Sequence, residues 1–285
     1  MRDVGGAASH APRVMLHIAQ PEEAEGWLLA AERAGVTDFD IIGLSYYIGW
    51  SDHTIKTVGA VVNKLRYRFG KEVIIAETAY PWTLDGVNES AGNIPGDDFL
   101  ADGYPASPAG QRQFMSDLTQ TVLSRGGLGV IYWEPAWVST DCFTLWGQGS
   151  HWENATFFDF RQDNALHEGI LYLRHAYDYP ITVALRFTWD DGEAPEQLYF
   201  FGDFTGTGRR PLPVLPDEDG TFTLHARLMP GSDIRYQFYG LLPAAAENAL
   251  LPADCIEADG LAVFTVPAED VTVTHTPAGC PTMPS

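Results

Sequence analysis

Two short apolar runs each end in a carboxylate set among aromatic residues. One reads Val73-Ile74-Ile75-Ala76-Glu77-Thr78-Ala79-Tyr80-Pro81-Trp82, the other Gly129-Val130-Ile131-Tyr132-Trp133-Glu134-Pro135-Ala136-Trp137. Such a run, with no polar alternation, predicts a strand buried on both faces, as in a parallel sheet covered by helices. A carboxylate at the end of a buried strand costs free energy to desolvate, which makes Glu77 and Glu134 candidates for chemistry. The neighbouring rings suit a sugar substrate: they offer flat apolar faces for pyranose C–H groups and a low dielectric around the acid.

The elements that would position these acids alternate along residues 1–178. Val14–Ile18 reads as a strand. Pro21-Glu22-Glu23 opens a helix to about Ala34, with proline near the first turn, acids at its positive end and Gly35 as its cap. Phe39–Tyr47 is a second strand. Asp52–Phe69 is a second helix, with Ile55, Val58, Val62, Leu65 and Phe69 at helical spacing and Gly70 as its stop. Val73–Glu77 is a third strand, Pro108–Ser124 a third helix, Gly129–Trp133 a fourth strand, and residues 164–178 a fourth helix. About four βα units are half of a (β/α)8 barrel, which needs roughly 250 residues. The reading is therefore α/β, the C-terminal half of a TIM barrel, with the N-terminal half missing from this chain. After Tyr179-Pro180 the pattern changes to short strands with period two: Ile181–Trp189, Gln197–Phe201, Thr221–Leu228, Ile234–Tyr239, Leu261–Val266 and Val271–His275. Turns such as Asp219-Gly220 and Pro230-Gly231 separate them. Residues 181–285 are thus predicted to be an all-β, immunoglobulin-like sandwich.

Composition narrows the partners. Lys+Arg is 17 against Asp+Glu 38, a formal net charge of −21. Nucleic acid and anionic membrane surfaces need basic patches, so neither is expected as a partner. No run approaches the roughly 18 apolar residues of a membrane helix, so no membrane insertion is expected. Met1–Gly6 is followed by no apolar segment of a signal peptide. Cys255 and Cys280 flank a small β segment and are expected to pair in an exported protein, leaving Cys142 over.

The first 178 residues resemble the C-terminal half of glycoside hydrolase family 53, the endo-β-1,4-galactanases acting on arabinogalactan type I. The segments that carry the resemblance are Met15-Leu16-His17-Ile18, Asp38–Tyr47, Glu77–Trp82, Gly110-Gln111, Tyr132–Trp137, and Gly149–Asn154 with Phe158-Asp159-Phe160. They occur in family order over about 150 residues. The resemblance implies a (β/α)8 barrel and a retaining mechanism, with Glu77 as nucleophile at the end of the seventh strand. The family's acid/base is a Glu that follows Gly-Asn near the fourth strand. No Gly-Asn-Glu occurs here, since Gly92-Asn93 is followed by Ile94. The acid/base and a signal peptide are thus expected in the missing half, and the chain alone is expected to have little or no activity. The expected location is extracellular, cell-surface or periplasmic, and the full-length protein is expected to be a monomer. The C-terminal region loosely resembles immunoglobulin-like and starch-binding-like modules, through Tyr199–Phe204 and Gly231–Phe238.

Retention uses two carboxyls about 5–5.5 Å apart. Glu77, as nucleophile, needs hydrogen-bond donors, and Tyr46 or Tyr47 could supply a phenol. Strand alternation sends those two to opposite faces, so only one enters the site. Glu134, desolvated by Pro135 and its aromatic neighbours, is read as substrate-orienting or structural. Trp133 is a candidate sugar platform, and Trp82 and Trp137 suit either further subsites or packing. His17 could donate to a sugar hydroxyl, and Ser45 suits a hydroxyl or a loop cap. No cofactor is required. Some bacterial relatives resembling this chain tie two loops with calcium, and Asp85, Asn88 and Asp141 are the weak calcium candidates among loop oxygens that include Glu153, Asn154 and Asp159. A non-catalytic carbohydrate-binding remnant is the competing reading. Another retaining β-glycosidase of the same clan is a third, against which Ser45-Tyr46-Tyr47 and Tyr132-Trp133-Glu134-Pro135 weigh.

Overall fold

The computed structural model describes residues 12–87, 92–145, 147–189, 197–207, 210–240 and 249–283. The chain divides into two compact units with a break at Tyr177/Asp178; the later unit also takes in residues 63–70 and 124–126.

The first unit is built on Met15–Ile18 (β1), Ile41–Ser45 (β2), Glu72–Thr78 (β3) and Val130–Tyr132 (β4). They form one parallel sheet in the order β1-β2-β3-β4. Helices Ala24–Arg33 (α1), Ile55–Phe69 (α2) and Pro108–Ser124 (α3) follow the first three strands in turn. Gly35 and Gly70 end the first two helices at φ +79° and +62°, a left-handed turn that a Cβ would strain. Alternation sorts the strand residues. Ile18, Ile42, Leu44, Val73 and Ile75 are buried on one face. Met15, His17, Gly43 and Ala76 lie on the other, as the packing of Met15 and Ala76 around the Gly43 Cα shows.

The fourth helix expected over residues 164–178 does not form. Ala165–Leu166 (β8) pairs with Phe158–Asp159 (β7) in a hairpin, and only a 3-10 turn, Glu168–Arg174, follows. The hairpin takes the residues that would have made the first turn, and the His167 side chain accepts from the Gly169 amide to start the tighter one. A second small hairpin pairs Phe143–Thr144 (β5) with Gly147–Gln148 (β6).

The second unit holds two four-stranded sheets. One runs in the order Leu212–Val214 (β11), Leu198–Gly202 (β10), Asp233–Tyr239 (β13), Ala262–Thr265 (β14); the other in the order Phe222–Leu228 (β12), Ile181–Phe187 (β9), Val271–Thr276 (β15), Gly279–Thr282 (β16). Every second residue points inward: Val183, Leu185 and Phe187 of β9, Phe200 of β10, Ile234, Tyr236 and Phe238 of β13, and Val273 of β15 share one buried cluster. Cys255 and Cys280 are joined in a disulfide that fastens edge strand β16, and Cys142 is free and exposed. Closing that 25-residue separation restricts the unfolded chain, so reduction is expected to lower the stability of this unit by about 3 kcal/mol, read as a shift of its urea midpoint.

A buried imidazole packs against the rings of the β cluster. His275 is fully buried, with Nδ1 2.9 Å from the Arg186 carbonyl and Nε2 2.8 Å from the Tyr236 hydroxyl. A carbonyl only accepts, so Nδ1 carries the proton and Nε2 accepts from the tyrosine. Burial pushes the imidazole down to about 4, against the two backbone contacts that favour the cation. Because the folded value lies below the unfolded one, the neutral ring stabilises the fold fully above pH 6.5, and that contribution disappears as the pH falls through about 4. Urea titrations of the chain at stepwise pH should show a loss reaching about 3 kcal/mol over this window, and a flatter slope in His275→Gln.

Candidate active site

Glu77 owes its direction to an irregularity in the sheet. The β2–β3 ladder pairs Leu44 with Ile75 and then Ser45 with Glu77, so Ala76 is passed over. Strict alternation would send Ala76 and Glu77 to opposite faces. The bulge turns Glu77 to the same face as Ser45 and Ala76. There the Ser45 hydroxyl donates to Glu77 Oε2 at 2.5 Å, and His17 Nε2 lies 2.9 Å from the Ser45 Oγ. Ser45 uses its one proton on the carboxylate, so it accepts from His17, whose proton sits on Nε2. The result is a chain of donors running from His17 through Ser45 to Glu77, spanning the ends of β1, β2 and β3. Ser45 is buried, Glu77 half-buried and His17 exposed. The serine hydroxyl aims one carboxylate oxygen, as a positioned nucleophile requires.

The two tyrosines after β2 part as alternation requires. Tyr46 is fully buried and its hydroxyl donates to the His53 carbonyl at 2.9 Å. It is therefore removed from the candidate substrate contacts. Tyr47 packs against Trp50, Phe99 and Trp152 at ring distances of 5.0, 6.3 and 5.6 Å. Its hydroxyl is pushed well above the usual tyrosine range, first by burial and next by the charge of Glu77, with Glu134 a further contributor. Both acids are thus close enough to act on one phenol. The phenol expected to hold Glu77 is not its donor; Ser45 fills that role.

Trp133 follows β4 on the open side and is partly exposed. Glu134 is exposed, so its aromatic neighbours do not desolvate it as expected. It holds φ +48°, a left-handed conformation that costs a non-glycine residue about 1–2 kcal/mol. The turn it makes returns the Trp137 amide to its own carbonyl at 3.3 Å. Trp137 is half-buried, its ring 6.3 Å from His151. Trp82 is not a platform: it is 1% exposed, and its indole N–H donates to the Glu153 carbonyl. Its ring lies against Phe160, His167 and the Arg161 guanidinium.

Several of the loop residues considered for calcium are engaged by protein groups. Glu153 Oε1 accepts from the Val87 amide at 2.6 Å. The Asn154 side-chain amide donates to the Thr83 and Pro95 carbonyls and its backbone carbonyl accepts from the Trp82 amide at 2.8 Å, while among the described residues its Oδ1 has no hydrogen-bond partner. Asp159 is held by Arg161 and Gln162, and Asp85 lies 3.5 Å from Arg161. The Asp141 carbonyl accepts from Gln148, while its side chain is exposed. Asn88 lies outside the described residues. Among the described residues the one grouping at metal-ligand spacing is Asp254 with Cys255 and Cys280, and those two sulfurs are bonded to each other.

A buried node that sequence reasoning did not single out ties these parts together. Gln111 of α3 is fully buried; its Nε2 faces the Tyr80 carbonyl at 2.7 Å, the Tyr132 hydroxyl at 3.0 Å and the Ala155 carbonyl at 3.1 Å. The Tyr132 hydroxyl lies 2.6 Å from the same Ala155 carbonyl and accepts from the Tyr80 amide. One helix residue thereby holds the chain just beyond Glu77, the end of β4 and the segment carrying Glu153 and Asn154. The only sequence signal was its place in Gly110-Gln111. Gln111→Leu should leave the Tyr80 carbonyl without its closest donor and destabilise the first unit by about 1–3 kcal/mol, measured by urea unfolding.

Known proteins resemble the part of the chain that carries this site. Residues 2–169 match the family model of glycosyl hydrolase family 53. An arabinogalactan endo-β-1,4-galactanase of Cellvibrio japonicus is 51% identical over 167 residues, covering 58% of this chain and 44% of that protein. An endo-β-1,4-galactanase of Bacillus subtilis is 31% identical over 164 residues, covering 53% and 38%. Among solved structures, the Ignisphaera aggregans GH53 catalytic domain superposes with a TM-score of 0.52 at 31% identity, over 58% of this chain and 47% of that one. The chain belongs to glycosyl hydrolase family 53, a TIM-barrel family of cofactor-independent glycosidases. It spans less than half the length of these relatives.

Proposed function

We propose that this chain is the nucleophile-bearing half of an endo-β-1,4-galactanase that hydrolyses pectic galactan with retention. The observation that carries the reading is the donor chain from His17 through Ser45 to Glu77 on the open side of the strand ends. In the first step a Glu77 oxygen bonds to the anomeric carbon as the glycosidic C–O bond breaks, and the departing oxygen takes a proton from a second carboxylic acid. In the second step that residue, now a base, deprotonates a water that displaces Glu77 and restores the configuration. We assign the acid/base to the N-terminal half of the barrel, outside this chain. Ser45 orients and stabilises the nucleophile, and His17 fixes the Ser45 proton.

Trp133 offers a partly exposed ring at the same end of the sheet, suited to the apolar face of a galactosyl unit. Glu134 and Trp137, held by the turn that Glu134 makes, are assigned to orienting the chain, and Tyr47 to the wall beside Glu77. The all-β unit is read as an immunoglobulin-like accessory sandwich. Its disulfide suits an oxidising compartment, so we assign the protein to the periplasm, cell surface or exterior.

The test is reducing-end release from unsubstituted β-1,4-galactan by the complete enzyme. Glu77→Gln should abolish it. Ser45→Ala, which removes one hydrogen bond to a charged group, should lower kcat about tenfold to a hundredfold with little change in KM. Full activity in Glu77→Gln, or hydrolysis of xylan or mannan in place of galactan, would overturn the proposal.

A further inference from the structure

Three neighbouring strands of the second unit set flat side chains in one row. Leu198 and Phe200 of β10, Leu212 and Val214 of β11 and Phe238 of β13 belong to the buried cluster, so the residues between them face outward. Tyr199 pairs with Pro213 on one side and with Tyr239 on the other, and directly paired residues share a face. Phe201 stands on that face two positions further along β10. Pro213 is exposed and the three rings are half-buried. The Tyr199 hydroxyl donates to Gln197 Oε1 at 3.1 Å, and among the described residues nothing bonds the Tyr239 hydroxyl. Gln237, paired with Phe201, is buried and bonds the Leu251 amide and the Gly260 carbonyl, which fixes the ladder beside the row. Strands lie about 4.8 Å apart and alternate residues about 7 Å, so the row and Phe201 outline a patch of roughly 10 by 7 Å. None of its residues is charged, in a chain of formal net charge −21.

We propose that this row is a binding platform for a neutral polysaccharide chain, the apolar faces of its sugar rings lying on Tyr199, Tyr239 and Phe201. Size selects the ligand first. The patch covers on the order of 100 Å², whereas a stable protein partner or a second copy needs about 800 Å² on each side. Charge selects it next: an uncharged patch on an acidic chain gives no hold on nucleic acid, an anionic lipid surface or a uronate polymer. Tyrosine suits a carbohydrate, because its ring packs on C–H groups while its hydroxyl reaches a sugar oxygen. A weak site is sufficient, since the row shares its chain with a glycosyl hydrolase unit, and a polymer held by one site is at raised effective concentration for the other. That the polymer is galactan rests on the galactanase reading above; the platform itself does not.

The experiment runs the whole chain in native gels holding β-1,4-galactan, xylan, mannan or polygalacturonate. Galactan should retard it, and the retardation should persist in Trp133→Ala, which lacks the ring assigned to the first unit. Tyr199→Ala with Tyr239→Ala should raise the apparent Kd at least tenfold. Tyr199→Phe with Tyr239→Phe, which keeps both rings, should raise it less than about threefold. The urea midpoint of each variant reports its folding. Hydroxyl-radical footprinting needs no variant: in the unsubstituted chain, oxidation of Tyr199, Phe201 and Tyr239 should fall at least threefold when galactan is added. Retardation by xylan or mannan in place of galactan, with the same dependence on the two tyrosines, would support the platform and count against the galactanase reading alone. Footprints unchanged by all three neutral glycans would overturn the proposal, as would retardation indifferent to the two alanines in a folded variant, or retardation by polygalacturonate alone.

Discussion

A hydrogen bond of 2.5 Å from Ser45 to Glu77 sets the direction of the one carboxylate on which the proposed chemistry turns. It exists because the β2–β3 ladder skips Ala76. In an unbroken ladder the Glu77 side chain would face the helices, where a charge has no partner and burial is expensive. The bulge moves it to the side occupied by Ser45 and His17, and those two residues then satisfy it. Local backbone geometry, charge and polarity agree here, and strands from three consecutive βα units are needed to make them agree.

The surrounding loops are held by buried side chains that bond to backbone. Gln111, Tyr132, Glu153 and Asn154 between them engage main-chain groups of residues 80, 83, 87, 95 and 155. Each bond fixes a stretch of irregular chain that makes few ladder hydrogen bonds of its own. Trp82 is part of this bracket, which explains why an aromatic so near Glu77 faces inward. The β unit uses the same device at Gln237, which bonds the Gly260 carbonyl and the Phe238 and Leu251 amides, and at His275, where a polar ring between two sheets is tolerated because both nitrogens are matched.

Much of this was legible in the sequence, and the failures have physical causes. The four strands and three helices of the first unit follow from apolar runs and helical spacing, with glycine stops at residues 35 and 70. The Cys255–Cys280 pairing followed from their flanking a β segment. Glu77 stood out because an acid ending an apolar run is costly. Its donor did not, since a bulge leaves no mark in the residue pattern, and alternation alone misplaces Ala76 or Glu77. The helix over 164–178 failed because hairpin pairing with Phe158–Asp159 is non-local. β11, three residues with a proline, and β16, with a glycine and a proline, are edge strands whose composition reads as turn. Whether Tyr46 or Tyr47 faced the site depended on register, which only the fold fixes.

The central claim is that Glu77 attacks the anomeric carbon. The most direct measurement is peptide mass mapping of the complete enzyme after trapping with an activated 2-deoxy-2-fluoro-galactoside, which slows release of the covalent intermediate. A single glycosyl adduct on the peptide containing Glu77 is the expected result. An adduct on any other carboxylate, Glu134 included, would contradict it.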